Sequence, residues 1–444
     1  MKRILLTIGA VFCALLFTVP ASARSIKEKL EATLFGGRSS SVLTVGGRPL
    51  LSAEIETFGQ PILAIGNIGS VVANTLGREI ISESAAVPVP SGSAGFAYRY
   101  NPSLNVFERT AIGLGTVFNE RAYVLGKGQL AFGVAYVRQE FDEFNGQDIS
   151  DLTIGPGLFS RSPSFGALVD TGVVEAQLDL KLRTDSVAFW VTYGLTEWLD
   201  VSILLPLTTI NLRARSTVRQ VSDALADNLP AFLSNSTCTV AQAVDGRCRI
   251  ADFIILREGT PFSISNPRTG EVTTSFSNRV DDEKTGFGDL ILRGKARFLE
   301  HAWGTFGGLT EFTLPTGEKD NYLGDDAFKA RFLLLYSQGL FNDRLHFHLN
   351  GGGKVTTQTS QKNTLEYGSA VDFSVTQRLS LVAELIGSWR VDSEGLPDNF
   401  IDGAFGFKVN LFRGLIVNAS FRIPATDDGL RSDLVYLAGL EYDF

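Results

Sequence analysis

The end of the chain alternates between apolar and polar side chains in a way that few folds accommodate. From Leu434 to Phe444, the even-numbered positions are apolar or aromatic, whereas the odd-numbered positions include Glu441 and Asp443. One strand of a transmembrane barrel needs about ten residues with this period of two, because one face meets lipid and the other meets the lumen. The sequence therefore predicts an all-β fold, an antiparallel transmembrane β-barrel.

Similar alternation runs through most of the chain from Gly128 onward, and short connections alternate with longer polar ones, as in membrane barrels. Between Asp185 and Val187 the apolar parity changes, which favours a bulge within one long strand over a tight turn between two strands. The count from Gly128 is twelve strands, and residues 94–112 would raise it to fourteen. After the two strands before residue 199, the predicted strands are 199–214, 286–298, 304–314, 328–338, 344–355, 364–375, 379–390, 400–410, 415–424 and 433–443.

The amino end is typical of an exported protein. Lys2 and Arg3 precede an apolar stretch, and Ala21-Ser22-Ala23 matches a cleavage site, so residues 1–23 are predicted to be a signal peptide. Residues 24–127 then form a plug or periplasmic segment, with a short helix at 25–34 and a hairpin at 94–112. A disordered tail is the alternative. The barrel itself is assigned to residues 128–444, which places the protein in a bacterial outer membrane.

Composition and cysteine spacing restrict the function. The 40 Lys and Arg against 48 Asp and Glu make the chain acidic, which argues against nucleic acid as a partner. Cys13 lies in the signal, and Cys238 and Cys248 are predicted to form a disulfide within a large extracellular loop at 215–285. A helix-like stretch at 218–233 precedes them, so this clipped loop is a candidate lid over a pore.

Charged side chains on the inward parity are candidates to line the lumen. Their signs are mixed, so they form no single-sign selectivity ring. They either join the wall by ion pairs or line a path for a solute. The candidates are Asp289, Arg293, Lys295, Arg297, Glu311, Lys329, Arg331, His346, His348, Glu366, Asp372, Glu384, Asp402, Lys408, Arg422 and Glu441, with Lys354 beside them.

Several inward positions are apolar, which a wide water-filled pore would not need. They indicate a narrow or plugged interior, either packed against residues 24–92 or offering an apolar surface to a solute. These positions are Ile291, Leu333, Leu335, Val382, Ile386, Ile416, Val435 and Leu437.

His346 and His348 stand two residues apart on one strand and both face inward. Two such histidines could share a metal ion or belong to a catalytic set. No Ser with a nearby Asp or Asn is marked out as a partner by spacing, which favours structural hydrogen bonds to neighbouring carboxylates. We expect no metal, no cofactor and no enzymatic activity. The acidic loop pieces at 281–283, 320–326 and 427–428 are expected to be solvated turns, with divalent ions bridging to lipopolysaccharide as the alternative.

The chain end also resembles the C-terminal assembly signal of bacterial outer-membrane proteins, through Leu440, Tyr442 and Phe444. This resemblance implies the barrel-assembly machinery as a partner. Aromatic side chains recur beside the predicted turns, where amphipathic rings favour a membrane interface. They are Trp198, Trp303, Phe341, Phe412 and Phe444 at the periplasmic rim and Trp389 at the opposite rim.

Three motifs occur in the order of a known family. They are the turn at 193–201 (YGLTEWLDV), Gly286-Phe287-Gly288-Asp289-Leu290 at a strand entry, and Leu314-Pro315-Thr316-Gly317-Glu318 at a strand exit. Together they resemble the outer-membrane barrel family labelled MetA-pathway of phenol degradation, which implies a conduit for small, often aromatic compounds. The long N-terminal region and loop 215–285 depart from that pattern, and the resemblance assigns no functional residues.

A more distant resemblance is to hydrophobic-compound channels of the fatty-acid transporter type, which have a plug and fourteen strands. Their Asn-Pro-Ala signature is only echoed by Asn101-Pro102-Ser103. The function expected from the sequence is an outer-membrane channel for passive uptake or efflux of small hydrophobic or aromatic molecules. The alternative is a closed structural or surface-interaction barrel that acts through its loops. Expected partners are membrane lipid, lipopolysaccharide, the assembly machinery and a small solute.

Overall fold

The computed structural model describes most of the predicted barrel and parts of the region before it. The described residues are 25–35, 43–45, 48–50, 80, 83, 98–101, 106–109, 113–160, 171–220, 264–265, 272–273, 275–357, 363–391, 399–412 and 414–444. The predicted signal peptide and the predicted Cys238–Cys248 disulfide lie outside these ranges, as does most of the helix-like stretch at 218–233.

Twelve antiparallel strands form the wall of the molecule, which confirms the predicted fold class and strand number. Alternating side chains allow each strand to bury one row and expose the other. The strands are β1 Leu130–Phe141, β2 Thr171–Gly194, β3 Leu199–Gln220, β4 Leu290–His301, β5 Gly304–Leu314, β6 Lys329–Leu340, β7 Leu345–Thr356, β8 Thr364–Ser374, β9 Leu379–Arg390, β10 Asn399–Phe412, β11 Leu415–Pro424 and β12 Val435–Asp443.

The sheet closes on itself, because β12 pairs with β1 as well as with β11. The Phe444 N–H donates to the Leu130 carbonyl across the closing seam at 2.8 Å. The β1–β2 and β2–β3 ladders complete the ring. Short turns join the strands at one end, and Gly414, in one of them, adopts a φ of +92°, which favours glycine. A closed barrel leaves no strand edge exposed, which is what a hydrocarbon environment requires.

The outward row of the barrel carries large apolar side chains in contact with the surroundings. Leu334 is 72 % exposed, Ile203 55 % and Phe332 52 %. A continuous belt of this kind would be unfavourable in water and is favourable in lipid. The predicted rim aromatics are exposed as well, with Phe341 at 77 % and Phe444 at 68 %. The outward face is that of a membrane-spanning barrel.

The predicted bulge in β2 is wrong. This strand runs for 24 residues without interruption, and its register with β3 is continuous from Gly194 opposite Asp200 to Val174 opposite Gln220. Even-numbered residues face inward along the described length of the strand. What changes is the position of the apolar side chains, which move along the chain from the inward row to the outward row. Leu178, Leu180 and Leu182 are buried on the inside, whereas the charged row faces outward. At ~3.3 Å per residue the strand is roughly 80 Å long, far longer than an apolar band of about 25 Å.

The extracellular loop assigned to 215–285 is shorter than predicted. β3 continues to Gln220, and a strand at Ser275–Phe287 pairs with it from Leu207–Phe287 to Arg219–Ser275. Residues 218–220, predicted to begin a helix, are therefore part of a strand. A further strand, Leu152–Ser160, pairs with the upper part of β2. These strands and the upper parts of β2 and β3 form what we call the extension, where polar outward side chains meet water instead of lipid.

The region before the barrel contains a helix and two small hairpins among the described residues. Helix α1 is Ile26–Phe35, and Tyr98–Asn101 pairs with Val106–Arg109 in a two-stranded sheet of its own. A second small pair joins Leu43–Val45 to Arg48–Leu50. Because neither pair belongs to the barrel sheet, the fourteen-strand alternative is excluded.

Candidate functional site in the lumen

A segment without helix or strand lies against the inner wall of the barrel just before β1. We call residues 113–126 the strap. Its backbone amides need acceptors, because a buried N–H without a partner costs about as much as a lost hydrogen bond. The wall supplies these acceptors from inward side chains rather than from a strand edge, so the strap is held by individual contacts.

Glu384 on β9 provides the central contact. Its carboxylate accepts the N–H groups of Val117 at 2.6 Å, Phe118 at 2.8 Å and Asn119 at 3.3 Å. Both oxygens of the side chain accept N–H groups, which matches its ionised form, and hydrogen bonds to an ionised acceptor are about twice as strong as neutral ones. Asn119 donates in turn to the Ser369 carbonyl at 3.3 Å. One wall carboxylate therefore fixes three consecutive strap residues.

The remaining contacts follow the strap around the wall. Each pairs a strap amide with a polar side chain on a different strand. They are Leu114 to Ser380 Oγ at 3.1 Å, Glu120 to Asn350 Oδ1 at 2.8 Å, Ala122 to Ser337 Oγ at 2.9 Å and Leu125 to Asp200 Oδ2 at 2.7 Å. The strap thus arcs past β9, β7, β6 and β3 before it enters β1.

Apolar contacts complete the seat of the strap. Val117 and Phe118 pack with a buried cluster on the wall, Ala122 packs with a second cluster, and Leu114 packs with Ile416. The first cluster is Ala135, Val137, Trp190, Leu204, Ile291, Val435 and Leu437, and the second is Leu309, Leu333 and Leu335. Of the two predicted uses of the inward apolar residues, these contacts match packing against the N-terminal region, and the packing partners that these clusters show lie at 114–122. Val382 is buried as well, and Ile386 is partly buried.

Ion pairs occupy many of the charged lumen candidates. Arg293 Nε lies 2.7 Å from Glu311 Oε2, and Glu120 of the strap approaches Arg293 at 3.6 Å and Lys295 at 3.7 Å. The side chains of these four residues are at most 11 % exposed. Buried charges in proteins are normally paired in this way. Glu120 was not among the candidates, because the strap shows no alternation that would mark it as a lumen residue.

The other charged candidates also have partners on the wall or in its loops. Asp289 accepts from the amides of Gly317 and Asp325, at the kink that precedes β4. The remaining pairs are Arg331 with Glu366 at 2.5 Å, Lys354 with Glu366 at 3.6 Å, Lys408 with Glu441 at 3.1 Å, Arg297 with Glu300 at 3.1 Å, Arg422 and Arg431 with Asp402, and Lys329 with Asp325.

The two inward histidines share one carboxylate. His348 Nε2 lies 2.9 Å from Asp372 Oδ2, and His346 Nδ1 lies 3.4 Å from Asp372 Oδ1. Ser337 Oγ lies 2.8 Å from His348 Nδ1 and accepts the Ala122 N–H. The network assigns the tautomer: His348 donates from Nε2 to Asp372 and accepts the Ser337 hydroxyl proton at Nδ1.

This Ser337–His348–Asp372 series resembles a catalytic triad in composition but has a structural setting. All three side chains are at most 1 % exposed, and the Ser337 oxygen is already engaged by the strap. The arrangement positions Ala122 through a relay of hydrogen bonds. Spacing did not predict Ser337 as a partner, although strand register pairs it directly with His348.

Two further observations concern the described part of the chain. Within these ranges, no group of three or more His, Cys, Asp or Glu side chains has an arrangement that could hold a metal ion. None of the helices described is both long enough and apolar enough to cross a membrane.

The inside of the extension is largely aliphatic, with the polar side chains of Ser216 and Asn278 also buried there. Leu178 and Leu180 on β2 and Ile210 and Leu212 on β3 are all at most 1 % exposed, and Val280 on Ser275–Phe287 is 8 % exposed. Helix α1 lies against β3, Ser275–Phe287 and the 3₁₀ turn Lys319–Asn321. The interior therefore has two parts: a largely aliphatic part inside the extension, and a second part where the strap meets paired charges and apolar clusters.

These features define the class of the molecule as a membrane-spanning β-barrel with part of its own chain inside the lumen. Among solved structures, an outer membrane channel from Pseudomonas putida F1 aligns at 14 % identity with a TM-score of 0.42, over 72 % of this chain and 97 % of that one. A FadL homologue from Pseudomonas aeruginosa aligns at 11 % identity and a TM-score of 0.32, over 73 % and 91 %.

The toluene transporter TodX of Pseudomonas putida aligns at 11 % identity and a TM-score of 0.32, over 81 % of this chain and 97 % of that one. No family model matches the sequence, so the resemblance to the phenol-degradation family gains no support from that comparison. No curated protein matches it either.

Proposed function

We propose that this protein is an outer-membrane conduit through which small apolar or aromatic molecules pass passively. The observation that carries the proposal is the aliphatic inner face of the extension. A barrel wall that stands in water would normally place polar residues toward any water-filled interior. Here Leu178, Leu182 and Leu212 face inward instead and are at most 2 % exposed. Such an interior favours partitioning of apolar solutes, at roughly 25 cal/mol per Å² of apolar surface removed from water.

The lower lumen supports a conduit that is closed at rest. The strap is attached to the wall by side-chain hydrogen bonds, apolar contacts and the Glu120 ion pairs, and not by strand pairing. Each contact can break without opening the barrel ladder. The strap, together with the rest of 24–127, is therefore our candidate for the plug. The charged lumen residues that hold it are Asp200, Arg293, Lys295 and Glu384.

The second candidate is a closed structural barrel that acts through its extracellular loops. The ion pairing of the lumen charges favours it, because Arg293, Lys408 and Glu441 are satisfied within the protein and are at most 7 % exposed. Both candidates share the outer-membrane location, removal of residues 1–23 on export, the barrel-assembly machinery and lipopolysaccharide as partners, and the Cys238–Cys248 disulfide. In neither candidate do we assign an enzymatic activity.

Uptake by intact cells separates the two candidates. The apolar fluorophore N-phenyl-1-naphthylamine is a suitable probe, because lipopolysaccharide slows its entry into the membrane. Cells that express the full chain should take it up faster than cells without the protein. If passage is limited elsewhere than at the strap, the double variant Glu384→Gln, Asp200→Asn should match the wild type. If the strap limits passage, this double variant should be faster than the wild type.

The control for expression and membrane integrity is the Glu441→Gln variant at matched surface level, because Glu441 contacts the wall residues Lys408 and Asn418. Uptake in wild-type and strap-loosened cells that equals uptake in cells without the protein would exclude the conduit and favour the structural barrel.

A further inference from the structure

The aliphatic inner face of the extension is occupied by a helix from the same chain. We call this face the vestibule patch; it comprises Leu178, Leu180, Leu182, Ile210, Leu212 and Val280. Helix α1 lies against two of the three strands that form it. Ile26 and Leu30, four residues apart and therefore on one side of the helix, are 0 % and 1 % exposed.

Two polar contacts join this helix to the described part of the barrel at Asp282 and Asn321. Lys29 Nζ lies 2.7 Å from Asp282 Oδ2, and the Ile26 N–H donates to Asn321 Oδ1 at 3.1 Å. The Lys29 side chain is 30 % exposed and that of Asp282 is 14 % exposed. Ion pairs with this degree of exposure contribute little, because water and salt compete for both charges.

The position of Asp282 shows that α1 is inside the extension. Val280 and Asp282 share the inward parity of their strand, whereas Asp281 and Glu283 face outward and pair across the outer surface with Arg213 and Asn211. The Lys29–Asp282 ion pair therefore lies inside the barrel, on the same inward row as Val280 of the vestibule patch.

We infer that the vestibule patch is the first binding site for an apolar solute and that α1 is its displaceable internal occupant. This inference rests on the proposed conduit function. Ile26 and Leu30 are buried aliphatic side chains on a helix that contacts two strands of the patch, and a small hydrocarbon or aromatic molecule would bury the same kind of surface there. An apolar solute brings no charge, so it replaces these contacts but not the Lys29–Asp282 pair. Binding of solute and docking of α1 are then mutually exclusive.

Competition of this kind has a measurable consequence. The apparent dissociation constant of the solute equals its intrinsic value divided by the fraction of molecules in which the patch is free. Removing the ion pair raises that fraction, so Asp282→Ala should tighten the apparent binding about 1.5- to five-fold, the range that a partly exposed ion pair supplies. Glu283→Ala is the matched control, since it removes a neighbouring carboxylate that faces outward and contacts no residue of α1 in the described part of the chain.

A covalent lock tests the same idea in the opposite direction. A carbodiimide joins an amine to a carboxylate with loss of water and adds no spacer, and the 2.7 Å separation of Lys29 Nζ and Asp282 Oδ2 suits this amide bond. The joined peptides identify the product by mass spectrometry. Asp282→Asn protein treated in the same way controls for other cross-links, because it lacks the carboxylate.

The experiment is a fluorescence titration of the full-length protein in lipid nanodiscs with N-phenyl-1-naphthylamine. We expect tighter binding by Asp282→Ala, unchanged binding by Glu283→Ala, and at least ten-fold weaker binding by the cross-linked wild type. Equal binding by all forms, or binding that survives the lock, would overturn the inference while leaving the conduit intact. Loss of the conduit itself shows separately, as the absence of protein-dependent uptake in cells.

Discussion

Replacing Glu384 by glutamine removes a negative charge from beneath the strap without creating a cavity. The carboxylate accepts three strap amides, two of them at 2.6 and 2.8 Å. Glutamine retains one acceptor oxygen, so at least one amide faces an NH₂ donor instead. Hydrogen bonds to a charged group contribute about 1.5–3 kcal/mol each, and an unsatisfied buried donor costs about 1–3 kcal/mol.

The expected loss of strap docking is about 2–4 kcal/mol, after allowing for the desolvation cost that the neutral side chain no longer incurs. Since 1.4 kcal/mol corresponds to a factor of ten, the fraction of undocked strap should rise about 30- to 700-fold. The barrel should remain closed, because its ladder hydrogen bonds involve the Glu384 backbone and not its side chain.

Hydrogen exchange measures this change directly. The amides of Val117, Phe118 and Asn119 should exchange faster by the same factor in Glu384→Gln, and openings of the conductance in planar bilayers should become more frequent. Glu441→Gln is the matched control, because the same substitution removes another buried carboxylate whose hydrogen bonds, among the described residues, go to the wall residues Lys408 and Asn418. If the barrel is intact and the hydrogen-exchange rates of the strap amides stay within two-fold of the wild type, Glu384 does not hold the strap against the wall.

Three further predictions concern the wall and one loop. Leu334→Arg places a charge in the apolar belt and should cost about 2–4 kcal/mol of unfolding free energy in lipid vesicles, whereas Leu340→Arg near the rim should cost about 0–1 kcal/mol. Gly133→Ala should destabilise the barrel by about 1–3 kcal/mol in the same assay, because the added Cβ overlaps the Trp190 ring. Partial burial raises the pKa of Asp142 above its usual value. Protonated Asp142 therefore stabilises the folded loop at a pH below the ordinary pKa, and this stabilisation is lost as the pH rises through the folded pKa. Hydrogen exchange in the loop after Asp142, corrected for intrinsic rates, should therefore slow on acidification, and Asp142→Asn should abolish this dependence.

Alternation along single strands was enough to predict the barrel, its twelve strands and most strand boundaries. The last strand illustrates the reason: Tyr436 and Leu440 are about half exposed, while Leu437 and Glu441 are buried. Lipid and lumen impose opposite chemistry on successive residues, so the pattern is local and readable. The pattern gave a wrong prediction where the second strand extends beyond the apolar band. Between Lys181 and Val187 the surroundings of the outward row change from water to lipid, and this moves the apolar residues to the other row, as a bulge would.

Only the tertiary structure decided what the inward residues contact. Glu384 and the amide of Val117 are more than 260 residues apart, and nothing in the spacing of either segment relates them. Ser337 and the Ala122 amide are 215 residues apart, and Asp282 and Lys29 are 253 residues apart, and no spacing relates these pairs either. Periodicity specifies which face of a strand a side chain occupies, because that depends on the backbone alone. The partner across the lumen depends on closure of the sheet and on the path of a segment that has no period.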